Sequence, residues 1–484
     1  ANMTAAPTAD YEFLANNELA VALKEAKNYF NPITQADMDN NTSFKRDAMR
    51  RSNRWELVGQ GTGGRKGGKG HIFMSRASIK MAEMDWLLNL TAREYSLPRN
   101  DPPTRHDGML YWADLCAGPG GFTEYMYWRR QRAGRGWGFT LRARNFADKG
   151  NGVCKICGFK LHEHIGPETT CPGDLDFRTD KFNPTSPYGT FKACYGADNT
   201  GNIYKADNMR DFAKVVEKDT EDRGVCLVTA DGGVDEGGDF NRHEWTLRRL
   251  VLCQITLGLM VLREGGNMVV KLFDLFTPIM HDLTYLASTC FEKTAIIKPF
   301  SSRPASSERY IVCMNLLQRR PPLVDFLLRV NELLDDSAAA LKNRNGKEVV
   351  RLCKEEDVPR SWTEYLKDSN IRICQNQLAA LTESRKCYED QAYGSESIQM
   401  EIALKLLAMW GVPANVKMSM TYLNDPNAKP PSASPHAEHP TMFKFLPALD
   451  QPRPGPRPPP AQNPSPASAG GGGNPPRGGG GYGG

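Results

Sequence analysis

Short, almost unbroken apolar runs, spaced by longer stretches with helical periodicity, fill the middle of this chain. Met109 to Leu115 reads as a buried strand, and so do Trp137-Gly138-Phe139-Thr140-Leu141 and Val225 to Ala230. Asn267 to Val270 and Arg309 to Cys313 follow the same pattern. Between them, apolar residues recur at helical spacing in Phe73 to Asp85, from Phe122 onward, and through Trp245, Leu247, Leu250 and Val251. Strands alternating with helices predict an α/β fold with a mostly parallel central sheet. Beyond Leu316 the pattern is helical only, in Leu323 to Leu334 and Ile398 to Trp410, and Trp410-Gly411-Val412-Pro413 is a helix stop. From about Asn427 proline and then glycine dominate, and such a segment buries too little apolar surface to order itself. The expected organisation is a helical N-terminal extension (1–45), an α/β domain (46–320) carrying a Cys/His-rich insertion (150–180), a helical appendage (321–426) and a disordered Pro/Gly-rich tail (427–484).

The most informative segment is the turn Cys116-Ala117-Gly118-Pro119-Gly120-Gly121-Phe122, which joins the Met109–Leu115 strand to a helix. Glycines there let backbone pass close under a ligand, and the helix start offers N–H groups and a positive dipole end. The turn is neither the G-x-x-x-x-G-K-[ST] of a P-loop nor a clean G-x-G-x-x-G, so phosphate-loop chemistry is not indicated. Four polar residues stand at predicted strand ends or helix starts: Lys80, Asp231, Lys271 and Glu308. In a parallel sheet such positions gather along one edge, where ligands bind. Taken singly, the lysine reads as a solvated strand end, Asp231-Gly232-Gly233 as a turn and Glu308-Arg309 as a surface ion pair.

Together with the turn, Ala230-Asp231-Gly232-Gly233, Lys271 to Pro278 and Ser302 to Tyr310 resemble the RrmJ/FtsJ type of S-adenosylmethionine-dependent RNA 2′-O-methyltransferase. Phe73 to Asp85, Glu124 to Arg130, Phe273 to Pro278 and Lys298 to Tyr310 are similar to the branch acting on the caps of eukaryotic mRNA. The likeness runs from about Arg50 to Leu316 and more loosely to about Val416. It implies a Rossmann-fold methyltransferase that modifies the ribose of the first transcribed nucleotide of capped mRNA. The second capped nucleotide, ribosomal RNA, and an RNA-binding scaffold without turnover remain as alternatives. The resemblance also implies a nuclear location and a link to the transcription and capping machinery. Chemically, a ribose hydroxyl is a poor nucleophile that needs alignment and a proton acceptor. Two lysines facing two carboxylates supply such a set: Lys271 takes or polarises the hydroxyl proton, Asp231 orients it near the cofactor's sulfonium, and Lys80 and Glu308 position the ribose. The resemblance further implicates Ser75, the Cys116–Phe122 turn, Asn202, Ile203 and Asp231 in cofactor binding, with Ser75 where the family commonly has asparagine and Asn202 where it has aspartate. Arg50, Arg51, Asn241, Arg242, His243 and Ser306 are expected RNA or cap contacts by position, although Asn241 equally suits a helix N-cap. Asp114 suits either the cofactor or a brace for the turn.

Composition changes this picture little. The formal net charge of +5 over 484 residues is a mild basic bias compatible with phosphate partners. No apolar stretch approaches the roughly 20 residues of a membrane span, and no signal-peptide pattern opens the chain at Ala1. Most of the 12 cysteines lie in apolar runs, as buried reduced thiols of an intracellular protein would. The basic glycine-rich stretch Gly59 to Gly70 is either a phosphate-holding loop or a solvated linker. The exception among the cysteines is Cys154-Lys155-Ile156-Cys157 followed by His162, His164 and Cys171. A C-x-x-C pair with thiolate and imidazole behind it fits a tetrahedral structural zinc that lets a short polar insertion hold a shape; free thiols in a loop are the alternative. Elemental analysis of the purified protein should find about one zinc per chain, and a trace or less removes the metal.

Overall fold

The computed structural model describes residues 2–4, 16–40, 42–60, 71–91, 109–142, 177–179, 182, 186, 188–233, 241, 243–342, 348–394 and 396–414. The expected zinc ligands Cys154, Cys157, His162, His164 and Cys171, together with Arg242, Gly61 to Gly70 and the 427–484 tail, lie outside the described residues. Seven strands form one sheet: β1 (Leu110–Leu115), β2 (Gly134–Phe139), β3 (Lys192–Cys194), β4 (Val225–Ala230), β5 (Leu262–Phe273), β6 (Phe291–Ile297) and β7 (Glu308–Leu316). Their order is β3-β2-β1-β4-β5-β7-β6. Pairings from β3 through β5 are parallel, and β7 runs antiparallel to both β5 and β6. The chain order reverses direction between β1 and β4, so the crevice beyond their carboxyl ends is where a ligand of an open α/β sheet sits. Every residue of β1 and β4 is buried, as strands covered on both faces must be.

Eleven described helices surround this sheet. An N-terminal layer holds α1 (Asn17–Tyr29), α2 (Asn31–Asp39) and α3 (Phe44–Ser52). Asn16 caps α1 by accepting from the Glu18 and Leu19 amides at 2.9 and 3.3 Å, and Glu18 complements the helix dipole. Next come α4 (Arg76–Leu88), α5 (Gly121–Arg130), α6 (Ala206–Asp219), α7 (His243–Val261) and α8 (Pro278–Ser288). Thr277 and Pro278 open α8 in the favoured cap-then-proline order. Then follow α9 (Leu323–Lys342), α10 (Arg360–Glu389) and α11 (Glu396–Met409). Gly411, at φ 66, stops α11, with the Gly411 and Val412 amides closing back on Ala408 and Leu407. The main core gathers Trp112, Trp137, Phe139, Phe212 and Tyr310 with the apolar faces of α4 to α9. Each large buried side chain of this kind contributes about 1.5–3 kcal/mol. A second, smaller core of Leu23, Phe30, Phe276, Cys374 and Leu381 joins α1 and α10 to the turn after β5.

No disulfide joins the nine described cysteines, seven of which are buried, in line with the reduced-thiol expectation. No described helix is long and apolar enough to cross a membrane. Away from the sheet's carboxyl edge, Asp282 of α8 is fully buried. It accepts from Arg351 Nε and Nη2 (3.2 and 3.0 Å) and from the Leu352 and Cys353 amides (2.8 and 3.1 Å), while His281 bonds both Asp282 and Thr363 of α10 at 3.0 Å. Burial opposes the Asp282 charge, but these donors outweigh it and hold its carboxyl below the usual range. Asp282→Ala removes the acceptor of two amides and one of the two carboxylates on Arg351, which keeps Glu355 at 2.8 Å, so urea denaturation should register a loss of about 1–3 kcal/mol.

Candidate functional site

Four side chains from four elements meet at the carboxyl edge of β4 and β5. Lys80 comes from α4, Asp231 follows β4, Lys271 lies near the end of β5 and Glu308 opens β7. Glu308 reaches this edge because β7 is antiparallel, which puts its first residue beside the ends of the parallel strands. Lys271 pairs with Tyr310 and Phe273 with Glu308 across β5 and β7, so all four point to one face of the sheet. Lys80 Nζ stands 2.8 Å from Glu308 Oε1 and 3.8 Å from Asp231 Oδ2. Lys271 Nζ stands 3.2 Å from Asp231 Oδ1 and 4.0 Å from Glu308 Oε2, and donates to the Asp231 carbonyl at 2.7 Å. All four are largely buried.

At Lys80 and Glu308 burial works against the charge, and the opposite partners decide the outcome. Desolvation pushes the Lys80 ammonium down, but Asp231 and Glu308 outweigh it and hold it above its ordinary range. Burial pushes the Glu308 carboxyl up, yet Lys80 and Lys271 overcome that and keep it well below. Tyr310 was not singled out in the sequence, although its position two residues after Glu308 on a strand signals the shared face. Its hydroxyl donates to Asp231 Oδ1 at 2.7 Å, and burial followed by the two carboxylates drives it well above the usual phenol. Ser302 Oγ donates to Glu308 Oε1 at 2.8 Å. Helix α4 also locks the loop that carries Ser302. Glu83 accepts from the Phe300 and Ser301 amides and the Ser301 hydroxyl, at 2.9, 3.0 and 2.6 Å, and Arg76 donates to the Ser301 carbonyl at 3.1 Å.

The glycine turn adjoins this cluster through Asp231-Gly232-Gly233. A Cβ added at Gly232 would lie 2.8 Å from that of Cys116, and one at Gly233 would lie 3.1 Å from Lys271 Nζ. Cys116 donates its amide to the Phe139 carbonyl (2.6 Å), Gly118 to Thr140 Oγ1 (3.1 Å) and Gly120 to the Ala117 carbonyl (2.6 Å). Gly120 takes φ 105, a conformation glycine adopts without a steric cost. Pro119 and Phe122 complete the bend, the latter buried with its ring 6.4 Å from that of Tyr310. Burial raises the Cys116 thiol to about 12 and leaves it inert at neutral pH. Ser75 precedes α4 and lies against Gly121, where a Cβ would come within 2.4 Å of its hydroxyl. Asn202 accepts from the Tyr204 amide at 3.0 Å, and Ile203 is buried beside it. This loop meets the turn through strand β2, whose next residue Thr140 holds Gly118 while Arg142 bonds Thr200 at 3.0 Å.

The expected RNA contacts divide. His243 and Ser306 line a cavity of ≈ 720 Å³ that also reaches Lys271 and Gly233. Asn241 donates to Asn28 of α1 at 2.8 Å. Arg50 is half exposed near Asp47 and Glu56 and does not line the cavity. Arg51 does not line the cavity either. Its guanidinium is engaged by the carbonyls of Cys387, Asp390, Gln391 and Tyr393, so it caps the end of α10. Besides Lys271, the cavity's cations are Lys27, Lys45, Arg46 and Arg303, beside apolar Phe30, Met49 and Leu381. Periodicity marks such residues only as helix surface. Among the described residues no group of His, Cys, Asp and Glu is arranged to hold a metal.

Asp114 is the brace for the turn: it accepts from the Thr123 amide and hydroxyl (3.1 and 2.7 Å) and from Thr229 (2.8 Å). Burial outweighs these bonds and lifts its carboxyl to about 7.

A family model described as FtsJ-like methyltransferase matches residues 73–316. The chain is 36% identical over 371 residues to the cap-specific mRNA (nucleoside-2′-O-)-methyltransferase 1 of Dictyostelium discoideum, covering 76% of this chain and 44% of that protein. It is 32% identical over 415 residues to the Xenopus laevis protein of the same name, covering 85% and 43%. It is also 31% identical over 408 residues to a Caenorhabditis briggsae protein named inactive cap-specific mRNA (nucleoside-2′-O-)-methyltransferase 1B, covering 80% and 42%. The chain thus spans less than half the length of each of these relatives.

The Asp114 geometry yields a pH test. A folded carboxyl raised above the ordinary value of about 3.9 disfavours its ionised form, so stability falls as pH climbs from there towards 7 and is level above. Asp114→Asn keeps the shape and removes the charge. Its melting temperature should match the wild type below about pH 4, exceed it increasingly towards pH 7 and stay above it in alkali, and equal pH profiles for both proteins would rule out the brace as described.

Proposed function

This chain belongs to the FtsJ-like methyltransferase family, and we propose that it methylates the ribose 2′-oxygen of the first transcribed nucleotide of m7G-capped mRNA, using S-adenosylmethionine. The observation that carries this reading is the convergence of Lys80, Asp231, Lys271 and Glu308 beside the Cys116–Phe122 turn. The residues of the turn suit the cofactor. Ser75 Oγ is buried without a hydrogen-bond partner, next to a glycine where any side chain would intrude, and a polar ligand group would satisfy it. Cys116 to Phe122, Ser75, Asn202, Ile203 and Asp231 would hold it. When bound, S-adenosylmethionine supplies a methyl group made electrophilic by the sulfonium. This chain's own residues align the sugar and manage the proton. In its neutral amine form Lys271 would take the 2′-hydroxyl proton on Nζ, which Asp231 holds by a carboxylate oxygen and its carbonyl. Lys80, kept in the ammonium form by Glu308 and Asp231, supplies a fixed positive charge alongside.

The cap as substrate is supported by the names of the relatives and by the cationic cavity that opens from Lys271. A nuclear location and contact with the transcription and capping machinery accompany that substrate in the proposal. A structural zinc on Cys154, Cys157, Cys171 and one of His162 and His164 belongs to the same proposal. The second reading, an RNA-binding scaffold without turnover, is prompted by the relative named inactive. Retention of all four charged groups in mutual contact favours an enzyme. Methyl transfer to short m7G-capped, uncapped and already 2′-O-methylated RNAs should occur on the first alone. Lys271→Ala should slow it by about 10²–10⁴-fold with cofactor affinity unchanged. Near wild-type transfer by that variant would refute Lys271 as the proton acceptor, and RNA binding without any transfer by the wild type would favour the scaffold.

A further inference from the structure

Strand β5 ends at Phe273, and the next two residues take left-handed backbone angles, Asp274 at φ 47 and Leu275 at φ 89. A leucine there is strained and persists only where its surroundings over-determine it. Three helices do so. Lys27 of α1 donates to both Asp274 carboxylate oxygens, at 3.1 and 3.2 Å. Asn370 of α10 donates to the Leu275 carbonyl at 2.7 Å. Glu244 of α7 accepts from the Phe276 and Thr277 amides, both at 2.8 Å, and from the Thr277 hydroxyl at 2.7 Å. Lys271 stands three residues before this turn, on the strand whose end the turn fixes.

Of these clamps, the one from α1 is electrostatic and buried, with 7% and 3% of the two side chains exposed. Asp274 also faces buried Glu244, whose carboxyl is lifted to about 7 by burial first and the Asp274 charge second. Without the Lys27 ammonium the turn would hold two acidic groups and no cation from α1. An ammonium has three hydrogens, and two of those on Lys27 serve Asp274. The residue also lines the cavity that reaches Lys271.

We propose that Lys27 is a positioning residue: by holding the Asp274 turn, helix α1 sets where the Lys271 amine stands, so the N-terminal layer completes the active site. This rests on the assignment of Lys271 as proton acceptor. The test uses the full chain with Lys27→Met, Lys27→Arg, Asp274→Asn and the Lys27→Met/Asp274→Asn double variant. Readouts are kcat and KM for capped RNA and amide hydrogen exchange across residues 271–277. Lys27→Met should lower kcat by about 10- to 100-fold, the scale of a small misplacement of a reacting group, with KM little changed. Lys27→Arg should recover most of that loss. The double variant should be no slower than the slower single, as for two partners in one interaction, and the Phe276 and Thr277 amides should exchange faster in Lys27→Met. A rise in KM at constant kcat would make Lys27 a substrate contact and overturn the proposal, as would unchanged exchange. Should Lys27→Met fail to fold, Lys27→Arg and Asp274→Asn carry the same comparison. If the wild type transfers no methyl group, the functional reading falls while the exchange measurement still decides the clamp.

Discussion

Two lysine amines and two carboxylates, largely withdrawn from water, sit within 4.0 Å of opposite partners at one edge of the sheet. Any one of them alone would be costly to bury. Their mutual neutralisation lets the site stay dry and charged at once, the condition under which fixed charges act most strongly on a reacting group. The balance is also directional. Lys80 is the more tightly paired lysine, at 2.8 Å from Glu308, whereas Lys271 shares its hydrogens between Asp231's carboxylate and carbonyl. In the proposed reaction that asymmetry makes Lys80 the fixed cation and Lys271 the amine that takes the proton, without any difference in residue type.

The topology exists to bring these groups together. Parallel strands deliver Asp231 and Lys271 to their carboxyl ends, but a parallel neighbour would have sent Glu308 to the far side of the sheet. Placing an antiparallel β7 between β5 and β6 returns it to the same edge and puts Tyr310 directly across from Lys271. The loop before β7 then needs fixing, and α4 does this with Glu83 and Arg76, each one turn from Lys80. One helix therefore supplies a charge of the cluster and anchors the loop bearing its counterion.

Much of this was legible in the sequence, and the reasons are physical. Fully buried strands betray themselves as apolar runs, so β1, β2, β4, β5 and β7 were visible, each within a few residues of its bounds except the longer β5. Asp231, Lys271 and Glu308 were legible because each bounds such a run, and Lys80 because the Phe73–Asp85 segment resembles the family. Partners chosen across the fold were not. Arg51 was an expected RNA contact by position, whereas its guanidinium meets the Cys387 carbonyl at the end of α10 and those of Asp390, Gln391 and Tyr393 just beyond, more than 300 residues further along the chain. Lys27 stands in the last turn of α1 and was not singled out in the sequence. Nothing local announces that its partner is Asp274, 247 residues away. Asp114 left two readings open until the bonds from Thr123 and Thr229 chose the brace.

The N-terminal helices therefore carry more than their weak apolar periodicity implies. They share a small core with α10 and the turn after β5, built on Phe30, Phe276 and Leu381, and they supply three of the cavity's cations, Lys27, Lys45 and Arg46. Lys45 is itself committed, its amine bonded to Thr34 and its amide to Asp37 at 2.9 Å, so the cavity wall is organised before any ligand arrives. A wall with pre-placed charges and an apolar floor suits a ligand bearing both anionic groups and a flat apolar surface, as a nucleotide does. In the proposed reaction the four charged groups serve a sugar oxygen common to every nucleotide, so among the described residues this layer is the part suited to telling one RNA from another.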